Sequence, residues 1–163
     1  MKVLVNRAKE NNVIFYWAIH PGQDIRWNEE DRSLLLQKFE SMYQLGVRGF
    51  AVFFDDISGE GTKADKQAEL LNYIDDHFVK VKRDVAPLIL CPTEYNKSWT
   101  DVEGGYLTTL GDKLNEGIKV MWTGDMVVAT IDKSTLDFVN PLLKRKAYIW
   151  CCLLYTSDAA DEG

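Results

Sequence analysis

Cysteine and histidine are scarce in this sequence, and their scarcity excludes several kinds of site. The 163 residues include three cysteines and two histidines. No CxxC pair or Cys/His cluster spaces the residues as metal ligands. An odd number of cysteines, two of them the neighbours Cys151 and Cys152, argues against a disulfide framework. A zinc site is therefore not expected, and a metal could be held only through carboxylates.

The sequence also lacks a basic stripe and a long apolar run. Its formal net charge is -6, so nothing in it is suited to bind nucleic-acid phosphates, and no nucleic-acid partner is expected. The one basic cluster, at 144–146, is typical of the cationic end of a helix. No apolar run is long enough to span a bilayer, so membrane insertion is not expected. Residues 1–7 do not lead into a signal-peptide core.

What the sequence does contain is an alternation of short apolar runs with amphipathic stretches. Helices are predicted around 28–46, 63–79, 106–114 and 134–143, the first of them capped by Asn28 and ended by Gly46. Strands are predicted at 13–19, 49–54, 87–91, 118–122 and 147–150. A strand about every 30 to 40 residues, with a helix in each gap, indicates βαβ units and parallel strands.

Five parallel strands fit two α/β architectures. One is a doubly wound sheet, and the other is part of a (β/α)8 barrel. A complete barrel typically needs about 250 residues, so in that case the chain would be a fragment. The sequence shows no internal repeat and no linker, which predicts a single domain.

Two adjacent aspartates, Asp55 and Asp56, directly follow the apolar run at 49–54 and precede a glycine-rich loop. In parallel α/β folds the loops after the strands carry the chemistry. Turn and cap chemistry is one interpretation, and a Mg²⁺ site is another. As an acid/base pair, two close carboxylates would not both ionise easily, so one would keep its proton and their roles would divide.

Polar or aromatic residues also follow the other predicted strands, so they should converge on the same mouth as the aspartates. Tyr95 could donate a hydrogen bond to a substrate oxygen, and Trp122 and Trp150 offer flat faces to a sugar ring, although each could instead be packed in the core. His20 is expected to be a turn residue. The aspartate pair, Asp55 and Asp56, suits glycoside hydrolysis better than nucleophilic Ser/His/Asp catalysis, for which no motif is present. The residues at these strand exits are His20, Thr93, Tyr95, Asn96, Thr123, Asp125 and Trp150.

Four motifs in order are similar to those of a known family. They are WAIHPG at 17–22, FFDDISG at 53–59, CPTEYN at 91–96 and MWTGD at 121–125. Over residues 8–150 the chain resembles the catalytic domain of glycoside hydrolase family 84. These are β-N-acetylglucosaminidases that include O-GlcNAcases and some enzymes named hyaluronidases. The resemblance implies a truncated (β/α)8 TIM barrel that holds the third through seventh strands.

The resemblance also implies a substrate-assisted mechanism without a cofactor, in which the substrate's 2-acetamido oxygen attacks the anomeric carbon and forms an oxazoline. Asp55 would polarise the acetamido N–H, and Asp56 would protonate the leaving oxygen and later activate water. Tyr95 would bind near the acetamido group, with Thr123 and Trp150 lining its pocket. The substrate would be a glycan or glycoprotein bearing N-acetylglucosamine, and the anomeric configuration would be retained.

The resemblance stops after Trp150. The family has an aromatic residue and then a sugar-binding asparagine where this chain has Cys151 and Cys152. We therefore expect 1–150 to be a partial catalytic barrel and 151–163 to be the in-frame translation of a sequencing adapter, not a domain. Two strands with a substrate-binding lysine would be missing upstream, which would make Met1 an internal start or the edge of an assembled fragment. The fragment is expected to be inactive by itself, and the alternative function is a non-catalytic or misfolded barrel remnant with residual N-acetylhexosamine binding.

Overall fold

The computed structural model describes residues 1–22 and 24–150, so the predicted adapter segment at 151–163 lies outside the described residues. Helices and strands alternate along the chain. The helices are α1 (Lys2–Glu10), α2 (Glu29–Gln44), α3 (Ala64–Ile74), α4 (Tyr106–Lys113) and α5 (Lys133–Leu143). The strands are β1 (Tyr16–Ile19), β2 (Gly49–Phe53), β3 (Ile89–Cys91), β4 (Lys119–Trp122) and β5 (Tyr148–Ile149).

The sheet decides between the two predicted architectures. All neighbouring strands are parallel, and their spatial order β1-β2-β3-β4-β5 is their order in the chain. A doubly wound sheet reverses its strand order at a switch point, and this sheet has no reversal. Because right-handed crossovers that always step in one direction put every helix on the same face, the fold is part of a (β/α)8 barrel.

Alternation along the strands gives the sheet two different faces. Phe50 and Val52 of β2 point toward the helices and belong to the main core. There Phe50 stacks on Phe39 of α2 at 5.1 Å between ring centroids and meets Phe78 edge-on at 4.9 Å. The opposite face would be the barrel interior, and its smaller inner-face cluster consists of Ala51, Ile89, Cys91 and Met121.

The start and end of α2 follow the sequence signals. The Asn28 side chain accepts a hydrogen bond from the Asp31 backbone N–H at 2.9 Å, which confirms the predicted N-cap. After the last helical turn, Gly46 has φ +100°, a backbone conformation that glycine adopts without steric cost.

The predicted helix at 63–79 is two elements instead of one. The α-helix α3 ends at Ile74 and continues as a π-helical turn over Asp75–Val79. The backbone N–H of Lys80 bonds to the Asp75 carbonyl at 2.8 Å, a spacing of five residues. The buried Asp75 carboxylate meanwhile accepts from Asn115 Nδ2 at 2.8 Å. Apolar periodicity reports burial but does not report such long-range partners. The N-terminal helix α1 had no predicted counterpart for the same reason.

The basic cluster at 144–146 follows α5, as predicted for a cationic helix end. Arg145, however, is half-buried, and burial lowers the pKa of its guanidinium. Its nitrogens donate to backbone carbonyls at 2.9 to 3.2 Å. The side chain therefore fastens the loop between α4 and β4 to the end of α5. The carbonyls that it binds belong to Leu114, Asn115, Ile118 and Leu143.

Candidate active site

The aspartate pair stands where the chain leaves β2. The strand ends at Phe53, and Asp56 has φ +49°, in the left-handed region. This turn gives the two neighbouring side chains different surroundings. Asp55 is half-buried and Asp56 is exposed. Oδ1 of Asp55 is buried and has no hydrogen-bond partner among the described residues. A buried carboxylate oxygen without a donor is unfavourable, so the site is prepared to accept a hydrogen bond.

His20 contacts the aspartate loop from the neighbouring strand exit. Its Nε2 lies 2.8 Å from the Asp55 carbonyl oxygen, while its Nδ1 accepts from the Gly22 N–H at 3.2 Å. Because Nδ1 accepts, Nε2 must carry the proton and donate to Asp55. The predicted turn role is therefore only half of what His20 does. Its position directly after β1 was the signal that it could reach Asp55.

Tyr95 and Thr123 link the loops after β3 and β4. The Tyr95 carbonyl accepts from the Thr123 N–H at 2.9 Å, and the Thr123 hydroxyl donates to the Met126 carbonyl at 2.9 Å. Thr123 is buried, so its hydroxyl proton is used within its own loop. The Tyr95 ring is half-buried and packs edge-on against Trp99, with 4.9 Å between the centroids.

The two candidate tryptophans have different places. Trp122 is fully buried on the helix side of the sheet, and its indole N–H donates to Thr135 Oγ1 at 3.0 Å. It is therefore a core residue, and its interpretation as a sugar platform was wrong. Trp150 is half-buried on the opposite side, 5.9 Å from the Phe53 ring. Both Trp150 and Tyr95 pack against the inner-face cluster.

Asn96 and Asp125 brace the same pair of loops. Asn96 is fully buried, and its Oδ1 accepts from Ser98 Oγ at 2.6 Å and from the Trp99 N–H at 3.2 Å. The Ser98 N–H donates to the Asp125 carbonyl at 2.9 Å. Within residues 1–22 and 24–150, Asn96 Nδ2 and Asp125 Oδ1 are buried without a hydrogen-bond partner. The Asn96 side-chain oxygen orders the loop after β3, and the Asp125 backbone carbonyl joins that loop to the loop after β4.

In the described part of the chain, no group of three or more His, Cys, Asp or Glu side chains is arranged to hold a metal ion. None of the described helices is long and apolar enough to cross a membrane.

Comparison with known proteins assigns this arrangement to a family. The sequence model of the beta-N-acetylglucosaminidase family matches residues 1–159. The chain belongs to the beta-N-acetylglucosaminidase family. The predicted family resemblance is therefore confirmed.

Relatives of this chain include the Protein O-GlcNAcase of Rattus norvegicus and that of Mus musculus. Each is 33% identical to it over 160 residues. The match covers 92% of this chain and 18% of each relative, so the chain spans about a fifth of their length.

Solved structures of family members share the fold. CpGH84B superimposes with a TM-score of 0.86 at 36% identity, over 92% of this chain and 28% of its own. A mutant of the Thermobaculum terrenum O-GlcNAc hydrolase gives a TM-score of 0.81 at 28% identity, over 91% of this chain and 34% of its own. The fold of this chain thus corresponds to part of a family 84 barrel.

Proposed function

We propose that this chain carries the catalytic aspartates of a retaining glycoside hydrolase that releases terminal β-linked N-acetylglucosamine from glycans or glycoproteins. The observation that carries the proposal is the unequal environment of the pair. Asp55 has a buried carboxylate oxygen that lacks a donor among the described residues, and the next residue, Asp56, is exposed. The family match supports the substrate class.

In this proposal Asp55 acts on the acetamido group. Its buried oxygen accepts the acetamido N–H of the substrate, which increases the electron density on the acetamido oxygen. That oxygen forms a bond to the anomeric carbon as the glycosidic bond breaks, and an oxazoline results. The enzyme supplies no covalent nucleophile, which distinguishes this route from the two-carboxylate scheme.

Asp56 acts on the glycosidic oxygen. Its carboxylic acid gives a proton to the leaving oxygen, and the resulting carboxylate later takes a proton from the water that opens the oxazoline. Solvent exposure suits this role, because the aglycone must leave and water must enter. Two inversions at the anomeric carbon give retention of configuration.

Three further residues are proposed to bind the sugar. Tyr95 and Trp150 present half-buried rings on the inner side of the sheet, and both pack against the inner-face cluster. Thr123 is proposed to line the acetamido pocket, with its side chain fixed by the bond to Met126. We further propose that residues 1–150 form the catalytic part and that 151–163 belong to no domain. Resequencing the DNA across the Cys151 codon tests the second point.

The test splices residues 1–150 of this chain into the Thermobaculum terrenum O-GlcNAc hydrolase, without that protein's mutation, in place of the matching segment. The resulting chimaera should hydrolyse a chromogenic β-N-acetylglucosaminide. Asp55→Asn and Asp56→Asn should each lower kcat by about 100-fold or more, because each removes a group that acts on the transition state. Asp137→Asn is the matched control, since this exposed α5 carboxylate pairs only with Lys133 in the described chain.

Two results would contradict the proposal. One is a folded chimaera without turnover, and the other is an Asp55→Asn variant as active as the Asp137→Asn control. A substrate with a fluorinated, less nucleophilic acetamido group tests the route itself. Turnover should fall sharply with it, whereas indifference to fluorination would favour a covalent carboxylate mechanism.

A further inference from the structure

Three side chains form a hydrogen-bonded network under the loop that carries the aspartates. They are Gln67 of α3, Thr93 from the loop after β3, and Tyr106 at the start of α4. Gln67 and Tyr106 are buried, and Thr93 is half-buried. None of the three belongs to the proposed catalytic or sugar-binding set.

The network leaves little freedom in its bonds. Gln67 Nε2 donates to the Gly61 carbonyl at 2.7 Å and to Thr93 Oγ1 at 2.9 Å. The Tyr106 hydroxyl donates to Gln67 Oε1 and accepts from the Thr93 N–H at 2.8 Å. Thr93 Oγ1, which already accepts from Gln67, donates its own proton to the Phe54 carbonyl at 2.8 Å.

The direction of each bond follows from donor and acceptor chemistry. The Gly61 carbonyl can only accept, so the Gln67 amide nitrogen must face it, and the Gln67 oxygen is left for Tyr106. The Thr93 N–H can only donate, so the Tyr106 oxygen accepts this bond and the Tyr106 hydroxyl donates its own proton to Gln67 Oε1. The Thr93 hydroxyl is then left to donate its proton to the Phe54 carbonyl. Burial raises the pKa of Tyr106, which keeps this hydroxyl a donor.

The network contacts the aspartate loop at both of its ends, and the contact at Phe54 lies next to the proposed chemistry. The Phe54 carbonyl belongs to the peptide group that joins Phe54 to Asp55, and Gly61 lies at the far end of the same loop. The Phe54 N–H in turn bonds to the Cys91 carbonyl at 2.9 Å. The peptide group before Asp55 is therefore held by Thr93, in addition to the contact that His20 makes with the carbonyl after it.

We propose that Gln67, Thr93 and Tyr106 are positioning residues that hold Asp55 where its buried oxygen can meet the acetamido N–H. The inference rests on the proposed function. A shift of about 1 Å in a catalytic group can cost on the order of 100-fold in rate. A network that fixes the Asp55 backbone therefore acts on turnover, in addition to stabilising the fold.

Thr93→Val is the variant that tests it. Valine has nearly the same shape, but it removes the donor to Phe54 and the acceptor for Gln67. In the chimaera, kcat should fall by about 10- to 100-fold while KM stays within about threefold, since the displaced group acts mainly in the transition state. Thr93→Ser restores the hydroxyl and should recover most of the loss.

Thr108→Val is the matched control. The Thr108 hydroxyl also donates to a backbone carbonyl, that of Gly105 at 2.9 Å, and Gly105 precedes α4 and is not part of the aspartate loop. If Thr93→Val has the same kcat as Thr108→Val, the positioning role is refuted. If Thr93→Val does not fold, Tyr106→Phe replaces it in the same assays. This variant removes one buried hydroxyl and keeps the ring, and a kcat equal to that of Thr108→Val would again refute the positioning role.

A second measurement does not depend on turnover. In the 163-residue chain, Thr93→Val should shift the backbone amide NMR signals of Asp55 and Asp56, whereas Thr108→Val should leave them in place. Unshifted signals in Thr93→Val would refute the inference whatever the enzyme does. If the proposed function is wrong, the result is different. The unmutated chimaera would then have no turnover, while Thr93→Val would still shift the amide NMR signals of Asp55 and Asp56 in the 163-residue chain.

Discussion

Asp55 and Asp56 show how the backbone separates two identical side chains. A residue other than glycine in the left-handed region costs on the order of 1 kcal/mol, although aspartate tolerates it better than most. At Asp56 this conformation ends the strand alternation, so that Asp55 stays half-buried and Asp56 becomes exposed. The two carboxylates can then do different work without being far apart in the chain.

Glu94 gives a prediction on pH. Partial burial raises the pKa of its carboxyl above the usual 4.5, and its Oε2 accepts from the Asp101 N–H at 3.2 Å. Because the folded pKa is the higher one, the stabilisation is present at low pH and is lost as pH rises through the raised pKa. Glu94→Gln keeps the acceptor and removes the charge, so its gain in stability should be larger at about pH 7 than at about pH 4.

Urea unfolding of the 163-residue chain at the two pH values checks this prediction. Glu103→Gln is the control, since Glu103 lies in the same loop and is exposed. The difference in unfolding free energy between Glu103→Gln and the parent should change little with pH. An equal pH dependence in the two variants would show that burial of Glu94 has no effect on stability.

Helices α4 and α5 approach each other closely at Gly111. A Cβ atom on Gly111 would lie 2.4 Å from the Leu142 carbonyl oxygen and 2.8 Å from the Leu143 carbonyl carbon. Alanine is the better helix former by about 1 kcal/mol, but backbone atoms cannot yield easily to this clash. Gly111→Ala should therefore destabilise the chain by about 1 to 3 kcal/mol.

Gly117→Ala provides the comparison, because among the described residues no heavy atom outside Gly117 and its two chain neighbours lies within 4 Å of the position of its Cβ. That substitution should change the unfolding free energy by less than about 0.5 kcal/mol or raise it slightly. Thermal and urea unfolding of both variants measure the difference. Equal stability of the two would mean that α4 and α5 can separate at no cost.

Sequence patterns predicted the elements better than they predicted the contacts between elements. Short apolar runs and amphipathic stretches identified the five strands and four of the five α-helices of the described residues, because these patterns follow from which residues are buried. Asn28 and Gly46 were recognisable because caps are local in the chain. Most contacts of Gln67 and Arg145 were not recognisable, because five of their seven hydrogen-bond partners lie 26 to 39 residues away along the chain.

The candidate site was predictable to the same extent and for the same reason. The end of a strand is a local feature of the sequence. His20, Asp55, Tyr95 and Trp150 could therefore be placed at one edge of the sheet from the sequence alone. Which face a side chain takes also depends on where each strand begins and ends. Trp122 is the last residue of β4 and faces the helices, so it joins the core and not the mouth.

For the whole molecule, the decisive feature is that the described sheet is an open arc. Five strands are present where a complete barrel has eight. Among the described residues, β1 and β5 each pair on one side only. Unpaired strand edges favour association between chains, and an open arc does not enclose the mouth, where Asp56 is exposed and Tyr95 and Trp150 are half-buried.

The last prediction concerns the 163-residue chain by itself. Electrostatic catalysis needs a site from which water is excluded, and an open arc does not provide it. Purified chain should therefore show no measurable turnover of the chromogenic substrate, while the chimaera, in which the host completes the barrel, turns it over. Analytical ultracentrifugation should show that the 163-residue chain self-associates as its concentration rises. The self-association of the chimaera should be weaker at the same concentrations. Robust turnover by a monomeric, sequence-verified 163-residue chain would mean that the aspartate pair functions without barrel closure.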